Sequence, residues 1–144
     1  NCYFFCSKDQ VLQILLWGKE NNMNTDILCY HKLNPIPTTN NKYLSDTEYI
    51  IFMRGQGAYL GGDYASKKKY FLQNNSKSEF EHPTVKPLNI IRTLVVNSSK
   101  ENDLVFDPFM GSGTTGIACK NLNRSFVGIE MIETNNRINV DLLW

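Results

Sequence analysis

Apolar residues along this chain fall into short blocks with two different spacings, and the blocks name most of the elements. Tyr3, Phe4 and Phe5 lie between two cysteines, and Asn1 to Cys6 is predicted to be a buried strand. Val11, Leu12, Ile14, Leu15 and Leu16 recur with helical spacing; Ser7 or Asp9 is placed to cap that helix and Asn21-Asn22 to end it. Further strands are predicted at Ile27 to His31 and Glu48 to Arg54, paired with each other at a sheet edge. Leu33-Asn34-Pro35-Ile36-Pro37 between them must be an extended loop, because proline lacks an N–H and restricts its predecessor. From Gln56 to Glu81 no periodicity survives, and a surface excursion is expected. Pro87 suits the first turn of a helix from Leu88 to Val96. Leu104-Val105-Phe106 is the continuous apolar run of a parallel strand buried on both faces. A helix with Ile117, Ala118 and Leu122 as apolar positions follows, then a strand from Ser125 to Ile129. Thr134 to Leu143 is expected to form a short final helix. Alternating strands and helices put the chain in the α/β class.

Composition changes this picture little. A chain of 144 residues with 42% hydrophobic content suits one domain, residues 1–144, with its own core. The formal net charge is +1, so there is no global basic field, and any nucleic acid would have to be met by a local patch. The sequence has no run long enough to span a membrane and no secretory signal pattern, which points to a cytoplasmic protein. Cys2, Cys6, Cys29 and Cys119 form no C-x-x-C and stand at no metal-like spacing from His31 or His82. Buried, reduced thiols and no metal are expected.

Candidate chemistry concentrates between Asn102 and Glu130. The strand ends in Asp107-Pro108-Phe109-Met110, followed by Gly111-Ser112-Gly113 and then Thr114 and Thr115, which open the helix. Glycines permit positive φ and let a ligand approach the backbone closely. The helix start offers unpaired N–H groups and a positive dipole end. Glu130 closes the next strand, where a carboxylate can accept two hydrogen bonds from a ribose diol. The unit is built for a nucleoside-containing cofactor. Gly111 to Gly116 fits G-x-G-x-x-G, but four residues separate the strand from the first glycine, and only Met131 to Trp144 follow Glu130, too little for the rest of a dinucleotide domain. A phosphate-binding P-loop is excluded because no lysine follows the turn.

Asp107 to Thr115 instead resembles the S-adenosylmethionine loop of amino-methyltransferases acting on adenine N6 or cytosine N4 of DNA. His82-Pro83-Thr84-Val85-Lys86-Pro87 resembles the segment that precedes this loop in the same family, where it borders the methionine end of the cofactor. Independently, a stiff loop presenting the Thr84 hydroxyl and the Lys86 ammonium could fix a carboxylate-bearing ligand. The resemblance implies a doubly wound, mostly parallel methyltransferase sheet with an antiparallel edge, of the permuted order in which the catalytic half precedes the cofactor half. It implies cofactor contacts at Asp107, Pro108, Phe109, Gly111, Ser112, Gly113, Thr114, Thr115, Glu130 and Met131, and at His82, Thr84, Lys86 and Pro87. It also implies DNA as substrate and a restriction-modification setting, with adenine N6 the more frequent target. The variable DNA-recognition segment of the family falls at residues 55–81, where Lys67, Lys68 and Lys69 precede Tyr70 and Phe71. A lysine run is as readily a solvated face, or a contact for phosphates.

The family's catalytic Asp/Asn/Ser-Pro-Pro-aromatic tetrapeptide is absent. Asn34-Pro35-Ile36-Pro37 comes nearest, with its second proline displaced, and it follows the wrong strand. No catalytic residue is therefore assigned. In the permuted order the tetrapeptide would lie before Asn1, on a strand between Asp103–Phe106 and Cys2–Cys6. The expectation is that this strand comes from a preceding segment or from a second chain, as in a homodimer. The alternative is a non-catalytic relative that retains cofactor and DNA binding.

Overall fold

The computed structural model describes residues 1–37, 42–74, 85–132 and 137–143, with side chains as far as residue 130. The chain divides into two compact units, one formed by Asn1–Tyr59 with Lys67–Asn75, the other by Leu60–Ser66 with the remainder of the chain.

The first unit contains β1 (Cys2–Cys6), α1 (Val11–Glu20), β2 (Asn24–Lys32), β3 (Thr47–Arg54) and β4 (Tyr70–Gln73). Its sheet runs β1-β3-β2-β4. β3 pairs antiparallel with both β1 and β2, and β4 pairs parallel with β2. The expected pairing of the second and third strands is therefore present, but in the interior of the sheet and not at its edge, because β1 adds outside β3 and β4 outside β2. Ile50 to Met53 are all buried, as suits the centre of a sheet. Tyr3 stacks on Phe52 across the β1–β3 ladder at 4.9 Å between ring centroids. α1 lies on β2 and β3 through Gly18, where a Cβ would stand 2.6 Å from the Thr25 methyl and 3.1 Å from the Met53 methyl. Glycine lets helix and sheet approach this closely.

The second unit contains α2 (Leu88–Ser98), β5 (Leu104–Asp107), α3 (Thr114–Asn121), β6 (Ser125–Ile132) and β7 (Arg137–Leu143). Its sheet runs β5-β6-β7. β5 and β6 are parallel and joined through α3, with Val105 opposite Phe126 and Asp107 opposite Gly128. α3 packs on β6 and α2 packs on α3. Ile90, Ile91, Leu94, Val95, Ala118, Cys119 and Phe126 are buried. Arg124 donates to the Ser99 carbonyl at 3.0 Å and to its hydroxyl at 3.2 Å, tying the start of β6 to the end of α2. Parallel strands around Leu104 and Phe126 and the helices on them give the expected α/β class.

β1 and β5 each pair on one side only among the described residues, the arrangement expected if a further strand stands beside them. Several other expectations are corrected. Phe4 is partly exposed, and Leu104 and Phe106 are more than half exposed. Ile117 is also half exposed rather than in the core. The last segment is a strand, antiparallel to β6, and not a helix. Ile138, Val140 and Leu142 alternate with Arg137, Asn139 and Asp141, a period of two. The excursion at 55–81 contains β4, a four-residue strand whose Tyr70 and Leu72 remain exposed, too short to show a pattern. Neither Ser7 nor Asp9 caps α1; the Gln10 side chain accepts from the Ser7 N–H at 3.0 Å instead. Pro87 is the N-cap of α2 rather than a residue of its first turn. Of the four free cysteines only Cys119 is buried, and its burial pushes the thiol pKa up to about 11.

Gly18→Val fills the α1–sheet contact with atoms that have no room. It should lower stability by about 1–3 kcal/mol, seen as an earlier urea midpoint with an unchanged slope.

Candidate functional site

The second unit brings a glycine turn and a carboxylate together at the C-terminal ends of its parallel strands. β5 stops at Asp107, and both oxygens of that side chain are engaged. Oδ1 accepts from the Phe109 N–H at 3.0 Å, which closes the turn at Pro108-Phe109. Oδ2 accepts from the Thr115 hydroxyl at 2.7 Å, which joins the strand end to the first turn of α3. Gly111 and Gly113 hold φ of +50° and +77°, in the left-handed region that favours glycine. Gly113 caps α3 from that conformation, with no side-chain cap and no acidic residue in the first turn. The helix start is thus left open to an anion or to hydrogen-bond acceptors of a ligand.

The turn is fastened to β6 at two points. The Met110 N–H donates to the Ile129 carbonyl at 3.0 Å. The Gly111 N–H donates to Glu130 Oε2 at 2.7 Å. Gly128 makes this possible: a Cβ there would stand 2.4 Å from the Met110 sulfur, so Met110 lies directly across the strand. Glu130 is half-buried, and its Oε1 has no hydrogen-bond partner among the described residues. One oxygen is fixed by the backbone and the other is available to a ligand hydroxyl.

Asp107, Phe109, Gly111, Gly113, Thr114, Thr115 and Glu130 are therefore brought together, with Pro108 and Ser112 exposed on the turn. Phe109 is almost fully exposed. Lys86 and Pro87 lead into α2, which packs on α3; Pro87 is fully buried and its carbonyl accepts from the Ile90 and Ile91 N–H groups. His82 and Thr84 lie outside the described residues, and of Met131 only its place in β6 is described. Met110 was not among the expected site residues. The signal for it was Gly128, a glycine inside an apolar strand, which marks a close approach. An open groove of about 720 Å³ runs from Met110–Gly113 along α3 to Lys120 and Arg124. It excludes Asp107 and Glu130, so we place the site at the strand ends, where the polar groups converge.

The Lys67–Lys69 run is not uniform. Lys69 is ion-paired with Asp26. Lys68 stands 5.9 Å from the centre of the Tyr70 ring. Lys67 is exposed and has no partner among the described residues.

Comparison with known proteins decides the family. Residues 3–140 match the N6/N4 DNA methylases. The chain belongs to the DNA methylase family. It is 35% identical over 128 residues to the Type II methyltransferase M2.MboI of Moraxella bovis, covering 78% of this chain and 47% of that protein. It is 32% identical over 119 residues to M2.LlaDCHI of Lactococcus lactis subsp. cremoris, covering 72% and 44%. The chain thus spans about half the length of the curated relatives it matches. Among solved structures, the M1.HpyAVI–SAM complex superposes with a TM-score of 0.78 at 31% identity, covering 89% of this chain and 66% of that one. The cytosine-N4-specific PvuII methyltransferase shares the fold, with a TM-score of 0.74 at 15% identity over 88% of this chain and 53% of that one. The α/β fold expected of a DNA methylase is thus common to the chain and these structures.

Thr115→Val keeps the shape of the side chain and removes the hydroxyl that joins Asp107 to α3. The loss should be about 1.5–3 kcal/mol locally, the range for a hydrogen bond to a charged group. The expected reading is faster hydrogen exchange at the Phe109 and Gly111 amides, with the β1–β4 unit unchanged.

Proposed function

We propose that this chain forms the cofactor-binding part of an S-adenosylmethionine-dependent DNA methyltransferase acting on the exocyclic amino group of adenine or cytosine. The observation that carries the reading is the Gly111 N–H holding one oxygen of Glu130 while the other is unengaged, beside the uncapped start of α3. A carboxylate held in this way suits a ribose diol. Asp107, Pro108, Phe109, Gly111, Ser112, Gly113, Thr114 and Thr115 form the cofactor loop, with Met131 beside the nucleoside and His82, Thr84, Lys86 and Pro87 at the methionine end. Relatives named as methyltransferases, and one crystallised with SAM, support the assignment and favour an enzyme over a non-catalytic relative. The setting proposed is restriction-modification, in the cytoplasm. None of the described helices is long and apolar enough to cross a membrane.

The cofactor's sulfonium supplies the methyl group as an electrophile, so the protein's task is to orient rather than to activate. Glu130 fixes the nucleoside end and the glycine turn lets the cofactor approach the backbone closely. Asp107 and Thr115 hold that turn in shape. The group that receives the amino nitrogen has no candidate among the described residues, and we assign no catalytic residue. We place DNA on the 55–81 segment, with Lys67 and Lys68 as phosphate contacts; Lys69 contributes less because Asp26 already pairs with it.

Calorimetry with S-adenosylmethionine tests the site. Glu130→Ala removes two hydrogen bonds to a charged acceptor and should weaken binding by roughly 10- to 100-fold or more. Tight binding of NAD in its place would end the reading. Methyl transfer to unmethylated DNA, followed by nucleoside analysis for N6-methyladenine against N4-methylcytosine, assigns the target base. For the DNA surface, neutralising Lys67 and Lys68 together should reduce the slope of log Kd against log salt by about two units. An unchanged slope and affinity would mean that the run is only a solvated face.

A further inference from the structure

Leu60 to Ser66 has no regular structure beyond a turn starting at Tyr64, yet it is tied closely to α2. The tie is Asn97, a buried amide in the last turn of a helix whose other buried residues are apolar. Its Nδ2 donates to the Ser66 carbonyl at 2.9 Å. Its Oδ1 lies 2.9 Å from the Ser66 hydroxyl. Its backbone carbonyl accepts from the Gly61 N–H at 2.7 Å. Gly62 sits under the amide with φ +78°, and a Cβ there would fall 1.9 Å from Asn97 Oδ1, so only glycine fits. Asp63 Oδ1 accepts from the Ser66 N–H at 2.7 Å and closes the turn. Between these two residues, Tyr64 is 90% exposed.

Ordering such a loop costs conformational entropy, and a buried amide returns little net stability. What the arrangement fixes is the backbone from which an almost fully exposed aromatic ring projects into water. The chain continues from Ser66 directly into Lys67 and Lys68. We propose that Asn97 is a positioning residue that locks this loop onto α2, so that Tyr64 packs its ring on an unstacked DNA base or its sugar. The proposal rests on the functional reading above and adds an uncharged contact to it. A ring on a base is tolerant of sequence and involves no phosphate.

That difference provides the test. DNA binding is measured on the full chain, with a short mixed-sequence DNA as probe, across a salt series. Tyr64→Ala should weaken Kd by roughly tenfold, with the salt slope unchanged. Tyr64→Phe should bind as the unaltered protein does. Asn97→Ala should reproduce the loss, and the Asn97→Ala, Tyr64→Ala double variant should be no weaker than either alone, because a latch has nothing to position once the ring is gone. Gly62→Ala displaces the Asn97 side chain from the loop side and should give the same loss. S-adenosylmethionine affinity should stay constant in the Tyr64 variants. Unchanged Kd in Tyr64→Ala overturns the proposal and leaves the methyltransferase reading standing, as do additive effects in the double variant. An unaltered protein that binds neither S-adenosylmethionine nor DNA overturns both.

Discussion

A peptide N–H in a left-handed glycine turn meets a carboxylate nineteen residues further along the chain, and the second unit is arranged so that it can. The parallel register sets Asp107 opposite Gly128, which carries Glu130 beyond the last paired residue of β5. Gly128 has no side chain, so Met110 can cross the strand and hand its N–H to Ile129. Asp107 then spends one oxygen on the Phe109 N–H and the other on Thr115, which sets where α3 begins. Together these contacts set Gly111 facing Glu130. A ligand site made of backbone groups needs this kind of support, because a backbone N–H cannot rotate to meet its partner as a side chain can.

The motif-bearing half was legible for a physical reason. Asp107 to Thr115 and Ser125 to Glu130 belong to contiguous elements, and the turn chemistry of glycine and the apolar runs of strands act over a few residues. What the sequence could not show was the network across elements. Asp107 was read only as a residue lining the cofactor, and that its carboxylate also joins the turn to the helix could not be seen from the sequence. The same limit hid the loop at Leu60 to Ser66. Two glycines and a polar run looked like an unattached excursion, because its fastening residue, Asn97, lies 31 positions from Ser66.

β1 and β5 carry the apolar composition of central strands, and each ends a sheet among the described residues, in agreement with the expectation of a further strand beside them. Composition reports the environment a strand is suited to, and pairing reports what stands beside it. At β7 the error was one of period, since Ile138, Val140 and Leu142 satisfy a strand and too few residues were available to exclude a helix.

The charge pattern bears on the DNA contact proposed above. With a net charge of +1, little is available for long-range attraction, and local pairing reduces it further. Asp26 takes Lys69, Glu48 takes Lys32 at 3.0 Å, and Asp9 takes Lys8. The Lys8–Asp9 and Lys69–Asp26 pairs are exposed and contribute little to stability, while Lys32–Glu48 is half-buried; each cancels a cation that a phosphate would otherwise meet. Binding resting on Lys67 and Lys68 alone would release few counterions and would be weak and only shallowly salt-dependent. An aromatic contact such as the one argued for Tyr64 adds affinity without charge. It therefore favours places where a base or sugar is exposed to the ring over the uniform phosphate backbone. A chain so nearly neutral gains discrimination by putting its affinity into contacts of that kind, and the buried Asn97 latch is the cost of holding one in place.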